Sequence, residues 1–521
     1  MTASQNFRKF ELIDPTSLET GKGEHEFLTG GEGKAINYRQ PRYRVQDLLD
    51  EVHHLNPRVI SDLFEGELVD FAITGASCLS DAKAAVAEGL LVEKIWIMIA
   101  DDAYYSGPAR VVHVTPIKKD GAPDRLLLGL QLVDGVMDID RIRRVKADAE
   151  VAAEMRKTRV ILARQDVSAA YKQSVADFLY VVHRFRYILS RQENELERVS
   201  YDARADAELE VLSTAWDNFK ITIAGPQDKL EELTMNDYFD REFQEIHRQY
   251  TLPLVTPHVV SAPVLYHAWA KPLGYAGDHV LMSYIYEKKW EGTHLFARLM
   301  HRYGVEHPMS ETVRCRRDML LEHITSTVGR STEADPKSTC RILSLGSGPA
   351  RELVDFAAQY TGEKPVQFTL VDQDNSALGF ANRQISPLTV RTGSQIQVQY
   401  LYLAFAQLLR DKDLFESLPD ADLIYCSGLF DYLSSGKAKM LMNRLMAKVS
   451  PGGYLLIGNF SSPPPAAWTT TYLLDWNLRY RTRAEMQELI DEVKEHIDEG
   501  EVVMDSSQGC YFSVLRKKKD G

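Results

Sequence analysis

Ile342-Leu343-Ser344-Leu345-Gly346-Ser347-Gly348-Pro349-Ala350-Arg351-Glu352-Leu353 is the stretch whose reading decides the fold. An apolar strand pattern runs into Gly-x-Gly-x-Ala and then into a helical pattern. Glycines at a strand end take up tight turn angles and let a ligand approach the backbone. A dinucleotide fingerprint would place a third small residue one position later, where this chain carries Arg351. The next candidate strand ends Thr369-Leu370-Val371-Asp372-Gln373-Asp374, and Asp372 lies 24 positions past Gly348. That is close to the roughly 20 residues at which a ribose-binding acid is expected. A carboxylate there can accept both ribose hydroxyls; the bland alternative is an acid in an ordinary loop.

Outward from this turn, residues 340–517 alternate strand and helix patterns. Candidate strands are Arg341–Leu345, Gln367–Val371, Ile396–Tyr400, Asp422–Cys426, Tyr454–Ile457 and Cys510–Leu515. The alternation predicts an α/β domain with a parallel, doubly wound sheet. Gly-x-Gly followed by Pro-Ala, the acid Asp372, the run Asp422–Tyr432 and the Pro451-Gly452-Gly453 turn before Tyr454–Phe460 together resemble class I S-adenosylmethionine (SAM)-dependent methyltransferases. The resemblance covers about residues 311–517. It implies a Rossmann-like methyltransferase domain over 329–521 with SAM as cofactor. The implied cofactor contacts are Leu345, Gly346, Ser347, Gly348, Ala350, Asp372, Gln373, Asp374, Phe405, Ser427 and Gly428. Two departures stand out. Ser344 replaces the acid usual before the first glycine, and no acid follows the third strand in Leu401–Phe405, so adenine is expected to pack on Phe405 or Tyr402.

Residues 146–328 read as a helical linker and substrate or lid region. Val175, Phe178, Leu179, Val182, Phe185, Ile188 and Leu189 recur at helical spacing. That helix is read as a homodimer seam or as packing on its own domain. A second pattern, Glu208–Ile223, is expected to break at Gly225-Pro226. Ala268-Trp269-Ala270-Lys271-Pro272-Leu273-Gly274-Tyr275-Ala276-Gly277-Asp278, with Leu343–Glu352, Asp475-Trp476 and Tyr480-Arg481-Thr482, resembles the 3-hydroxypalmitic acid methyl ester biosynthesis proteins over roughly 165–517. Those are bacterial methyltransferases, so the resemblance implies a small apolar carboxylic acid as acceptor: a (3-hydroxy) fatty acid giving a methyl ester.

A carboxylate is already ionised at neutral pH and needs no base. A guanidinium that holds it is expected instead, from Arg314, Arg316, Arg317 or Arg481; the alternative for each is a solvated helix face. A hydroxyl acceptor would need a base, for which His267 and His279 are candidates. Tyr275 and Asp278 read either as a lid hinged at Gly274 and Gly277 or, for Asp278, as a helix cap.

Residues 1–37 read as a flexible lead-in and 38–145 as a small β-barrel, from short strand patterns separated by glycine and aspartate clusters. Tyr38-Arg39-Gln40-Pro41-Arg42-Tyr43-Arg44, Asp70-Phe71-Ala72-Ile73-Thr74-Gly75 and Leu128–Leu132 resemble a degenerate PilZ domain. That family binds cyclic di-GMP, which implies Arg39, Arg42, Arg44, Asp70 and Gly75 as contacts. The serine of its turn is lost and the arginine spacing differs, so the alternative is a docking barrel.

The whole chain has 521 residues, 44% hydrophobic and 26% charged, with a net charge of −13. Wholesale disorder is excluded, and an acidic surface disfavours nucleic acid as partner. No apolar run reaches the roughly 18 residues of a membrane span. The N-terminus lacks an apolar signal core, and the five cysteines form no metal-ligand pattern. A cytoplasmic enzyme without a metal is therefore expected. The competing readings are a methyltransferase for a hydroxyl or amine of another metabolite, and a non-catalytic regulator that binds SAM or cyclic di-GMP.

Overall fold

The computed structural model describes residues 43–45, 56–81, 86–99, 102–117, 125–164, 167–235, 241–393, 395–410, 418–464 and 466–519. They form two compact units that part between residues 166 and 167. The lead-in 1–37, with Arg39 and Arg42, lies outside the described residues. The expected seams at 145/146 and 328/329 are not where the units part. Helix Ile139–Arg164 belongs to the first unit, and helix Pro308–Ala334 sends Leu320, Ile324 and Val328 into the core of the second.

The first unit is a closed antiparallel barrel. Its strands are β1 (Tyr43–Arg44), β2 (Arg58–Ser61), β3 (Glu65–Ala72), β4 (Gly75–Asp81), β5 (Leu91–Ile99), β6 (Asp102–Ile117) and β7 (Arg125–Leu132). Pairing runs β3-β2-β5-β6-β7-β4 and closes through β3–β4, while β1 adds to β3 and brings Arg44 opposite Asp70. Inward positions such as Val59, Leu68, Phe71, Cys78, Ile97, Val111 and Leu130 fill the interior. The strand patterns readable in the sequence, Phe64–Ile73, Leu91–Ile99, Ala109–Val114 and Leu126–Leu132, do not include β2 and β4. One has four residues, and the other, Gly-Ala-Ser-Cys-Leu-Ser-Asp, buries small side chains without a strong alternation.

The second unit holds a seven-stranded sheet made of β8 (Cys340–Leu345), β9 (Val366–Asp372), β10 (Ile396–Tyr402), β11 (Ala421–Cys426), β12 (Val449–Phe460), β13 (Ile497–Met504) and β14 (Cys510–Lys517). Its order is β10-β9-β8-β11-β12-β14-β13. The first five are mutually parallel; β14 is antiparallel to both β12 and β13. The expected all-parallel sheet is therefore mixed. The short Asp505–Gly509 turn makes β13 and β14 a hairpin, which obliges them to run opposite ways. The acidic edge strand β13, mostly exposed, had no sequence signature. The chain steps from β8 to β9 and β10 on one side, then returns to β11 on the other. Ligand crevices in open α/β sheets form at such a reversal, outside the carboxyl ends of the strands.

Helices wrap this sheet. Ala169–Leu196 packs its stripe inside its own unit: Phe178 meets Trp468 at 5.0 Å and Phe185 meets Phe219 at 5.1 Å, both edge-on. Helix Tyr201–Thr234 runs straight through Gly225-Pro226, against the expected break. Proline removes one backbone bond, and the buried stripe Leu212, Phe219, Ile223 and Leu230 holds the helix together across it. All five cysteines are free; Cys78, Cys340, Cys426 and Cys510 are buried and Cys315 is half-buried.

Candidate active site

The β8 turn is shaped by left-handed backbone. Gly346 has φ 72°, Gly348 φ 51° and Ala350 φ 48°, the last capping helix Arg351–Gln359. The Gly346 amide donates to Val371 O at 2.8 Å and the Gly348 amide to Asp372 Oδ2 at 2.8 Å, which ties the turn to the end of β9. Asp372 also accepts the Asp374 amide at 2.9 Å. Burial pushes the Asp372 carboxyl up to about 6 against the pull of these N–H groups. Asp374 caps helix Asn375–Arg391 and bonds His279 Nδ1 at 3.1 Å; burial opposes its ionisation, but the His279 and Ser376 hydrogen bonds hold it below the usual range.

A cleft opens over this turn, and Gly346, Ser347, Gly348, Asp372, Phe405, Ser427, Gly428, Tyr275 and His279 of the expected residues line it. Leu345 lies buried beneath, in the last position of β8, and Ala350 serves as the cap. Tyr402 of the alternative adenine platform is not on the wall, whereas Phe405 is. Ser347 Oγ is buried with no partner among the described residues.

Of the basic candidates, three are committed elsewhere. Arg314 donates to Ile285 O and Val305 O and pairs with Glu311, closing two helix ends. Arg317 pairs with Asp355 at 2.9 Å. Arg481 donates to Phe430 O and Leu433 O, both at 2.6 Å, and to Asn459 Oδ1. Arg316 alone of the four lines the cleft. It pairs with Asp431 at 3.2 Å and stacks 4.4 Å above the Phe460 ring, and its Nε is buried with no partner among the described residues. His267 bonds Asp278 at 2.6 Å, and Asp278 caps helix His279–Glu287 through the Val280 and Leu281 amides. Neither His267 nor Asp278 is on the cleft wall.

Sequence reading quoted Glu352, Tyr425, Asp431 and Trp476 within its motifs but gave them no role in the site. Tyr425 OH donates to Glu352 Oε1 at 2.8 Å beside Ser344, so a buried carboxylate sits near the position where the sequence lacks its usual acid. Glu352 stands in the first turn after the glycines, so its position was visible; the fold brings it round to Ser344. Burial raises its pKa. Asp431 is likewise pushed up by burial, to about 6, against Arg316 and the Phe460 amide. Trp476 Nε1 donates to Tyr432 OH at 2.9 Å, which donates on to Ala276 O at 2.9 Å and so holds the 274–277 loop. Gly277 there has φ +82°, and a Cβ would stand 3.0 Å from the Trp476 ring.

Phe460, Trp476 and Leu478 also line a second, apolar chamber, lined mainly by Val264, Leu265, Ile285, Met309, Val313 and Leu474. Cleft and chamber therefore share a wall. In the barrel, Arg44 is exposed at its register position opposite Asp70, and Gly75 opens β4.

No family model matches the sequence, and no curated protein matches it. Similar solved structures include a possible exported protein from Bordetella parapertussis, at 19% identity over 49% of this chain and 86% of that one, TM-score 0.37. The N-methyltransferase NodS from Bradyrhizobium japonicum WM9, in complex with S-adenosylhomocysteine, is similar at 15% identity over 38% and 86%, TM-score 0.26. Magnesium protoporphyrin IX methyltransferase ChlM from Synechocystis PCC 6803, with bound SAM, is similar at 8% identity over 41% and 85%, TM-score 0.29. Among the described residues no helix is long and apolar enough to cross a membrane, and no cluster suits a metal ion.

Proposed function

We propose that this chain is a SAM-dependent O-methyltransferase acting on the carboxylate of a small apolar acid, such as a fatty acid. The observation that carries the reading is the shared wall. A polar cleft at the sheet's reversal point abuts an apolar chamber through Phe460, Trp476 and Leu478. The cleft's groups suit an adenosyl amino acid: Asp372 for the ribose hydroxyls, Phe405 for the base, the Gly346–Gly348 turn for close approach. Glu352 and Tyr425 suit the α-ammonium group, and the unpartnered Ser347 Oγ awaits an acceptor or donor.

Bound SAM supplies an electrophilic methyl group. The protein's share is position and electrostatics. Arg316 holds the acceptor carboxylate through its free Nε edge, stacked on Phe460 at the boundary with the chamber. Trp476 and Tyr432 keep the Tyr275 loop over the cleft and exclude water. A carboxylate acceptor asks no base of the site. The second reading, a hydroxyl or amine acceptor, would draw on Asp431, the cleft carboxylate that burial lifts to about 6. For the barrel we keep a regulatory role with a cyclic dinucleotide as ligand, supported by Arg44 standing opposite Asp70. The central experiment incubates the protein with methyl-labelled SAM and free fatty acids and counts extractable, base-labile label. Ester label supports the acid reading. Base-stable label moves the methyl to a hydroxyl or amine, and SAM binding without transfer would make the chain a sensor.

A further inference from the structure

Lys271 and Asp475, 204 residues apart in the chain, meet in a buried ion cluster. Lys271 Nζ donates to Asp475 O at 2.8 Å and lies 3.6 Å from Asp475 Oδ2, and both residues are buried. Arg248 of helix Arg241–Val259 donates to Asp475 Oδ1 and pairs with Glu245 at 2.7 Å. Asn477 Nδ2 reaches the same Oδ1 at 3.3 Å. Lys271 and Asp475 both hold left-handed backbone, φ 48° and φ 51°, which disfavours any residue but glycine. Such strain persists only where the surroundings enforce it, and it collects at clamps and switches.

The cluster fastens a strap. Residues 271–277 leave helix Pro263–Ala270 at Lys271, turn through Gly274 (φ 88°) and Gly277 (φ 82°), and bring Tyr275 and Gly277 to the cleft wall. The base of the strap is held by His267 and Asp278, bonded at 2.6 Å. Its tip meets the residue that follows Asp475. Trp476 Nε1 donates to Tyr432 OH, which donates to Ala276 O, and the Trp476 ring lies so close that a Cβ on Gly277 would stand 3.0 Å from it. The pair Asp475-Trp476 therefore grips the strap at two points, Lys271 and Ala276-Gly277. Between those points Tyr275 shares the cleft wall with Asp372. Burial, and then the Asp372 carboxylate, push the Tyr275 hydroxyl far above its usual value.

We infer that Asp475 is a positioning residue for the cofactor: clasped by Lys271 and Arg248, it sets Trp476 against the strap, keeps the strap shut over the cleft, and so limits how fast S-adenosylhomocysteine leaves. This rests on the cleft as the cofactor site and not on the identity of the acceptor. Opening the clasp strands a buried charge, which makes opening rare. Opening of a loop over a bound product is a common limit on turnover.

The test chases labelled S-adenosylhomocysteine from the full-length protein with excess SAM and follows association in a separate mixing experiment. Asp475→Asn removes the charge while keeping the side chain's size and its tolerance of left-handed backbone. Lys271→Met removes the cation. Each should speed dissociation at least tenfold with association no slower, because an unfastened strap opens more readily for entry and exit alike. The double variant should dissociate about as fast as the faster single, because both substitutions break one device. General damage to the site would instead slow association, and independent effects would multiply. Acceleration below tenfold in either variant, slower association, multiplied effects in the double variant, or a wild-type protein that binds no S-adenosylhomocysteine overturns the inference. Transfer of label from SAM to fatty acids is read separately. Accelerated release in the variants, with no transfer by the wild type, leaves the clasp standing and removes the methyl-ester function. Transfer by the wild type, with unchanged release in the variants, does the reverse.

Discussion

The cleft and the chamber share three residues and draw on the same two helices, His279–Glu287 and Pro308–Ala334. The cleft's floor is built by the sheet: strand ends, one glycine turn and backbone amides fixed to Asp372. The chamber is built by helices and a late loop, from Val264 to Val313 on one side and Phe460 to Leu478 on the other. The first presents charge that burial has tuned. The second presents mostly hydrocarbon. Under the proposed function the difference separates two tasks, holding a cofactor and choosing an acceptor, and a substitution at a residue lining only one region should leave the other task alone.

The largest expected effect tests the cleft. Asp372→Ala removes the ribose acid and the anchor of the Gly348 amide, and SAM affinity measured by calorimetry should fall about a hundredfold, as expected for two hydrogen bonds to a charged group. The chamber counterpart is Val313→Phe, which overfills a buried site. Acceptor KM should rise about tenfold while SAM affinity stays within twofold. A matched loss of SAM affinity in Val313→Phe would break the separation.

A pH profile sharpens the same contrast. Asp372 is held near 6 in the folded protein, above the 3.8 of a free aspartate. Ribose binding needs the ionised form, so SAM affinity should be flat above pH 6 and fall by up to about tenfold per unit below it. Asp372→Asn should lose this slope.

The smallest expected effect lies behind the chamber. Glu231 accepts the Ala467 and Trp468 amides, and burial raises its pKa to about 7 from 4.5. The folded state then holds a proton that the unfolded chain releases between those values. This group's contribution to stability is present below pH 4.5 and is lost as pH rises through 7. Glu231→Gln should flatten the fall in Tm between pH 5 and 8 by a few degrees, read by thermal melts across that range.

The cleft was legible in the sequence because its parts are contiguous. Strand, turn and helix follow one another in Leu343–Leu353, and the acid ends the next strand. The chamber was not, because its walls are some 200 residues apart in the chain and join only when helices pack on the sheet. Arg316 shows the limit well. Four arginines sat in plausible places, and only packing decides that Arg314 closes helix ends, that Arg317 and Arg481 are engaged elsewhere, and that Arg316 faces the cleft. The Gly225-Pro226 break failed for the same reason: a buried stripe outweighs a local propensity.

The distribution of thiols makes the protein a natural single-label molecule. Cys78, Cys340, Cys426 and Cys510 are buried and their pKa values are raised by burial, so they resist alkylation. Cys315 is half-buried, and it lies between Arg314 and Arg316. Burial raises its pKa as well, so a maleimide dye should couple fastest above neutral pH. A fluorophore placed there without any engineering would sit on the helix that carries Arg316 to the cleft wall, and a change in its emission on adding SAM or an acid would follow binding in real time.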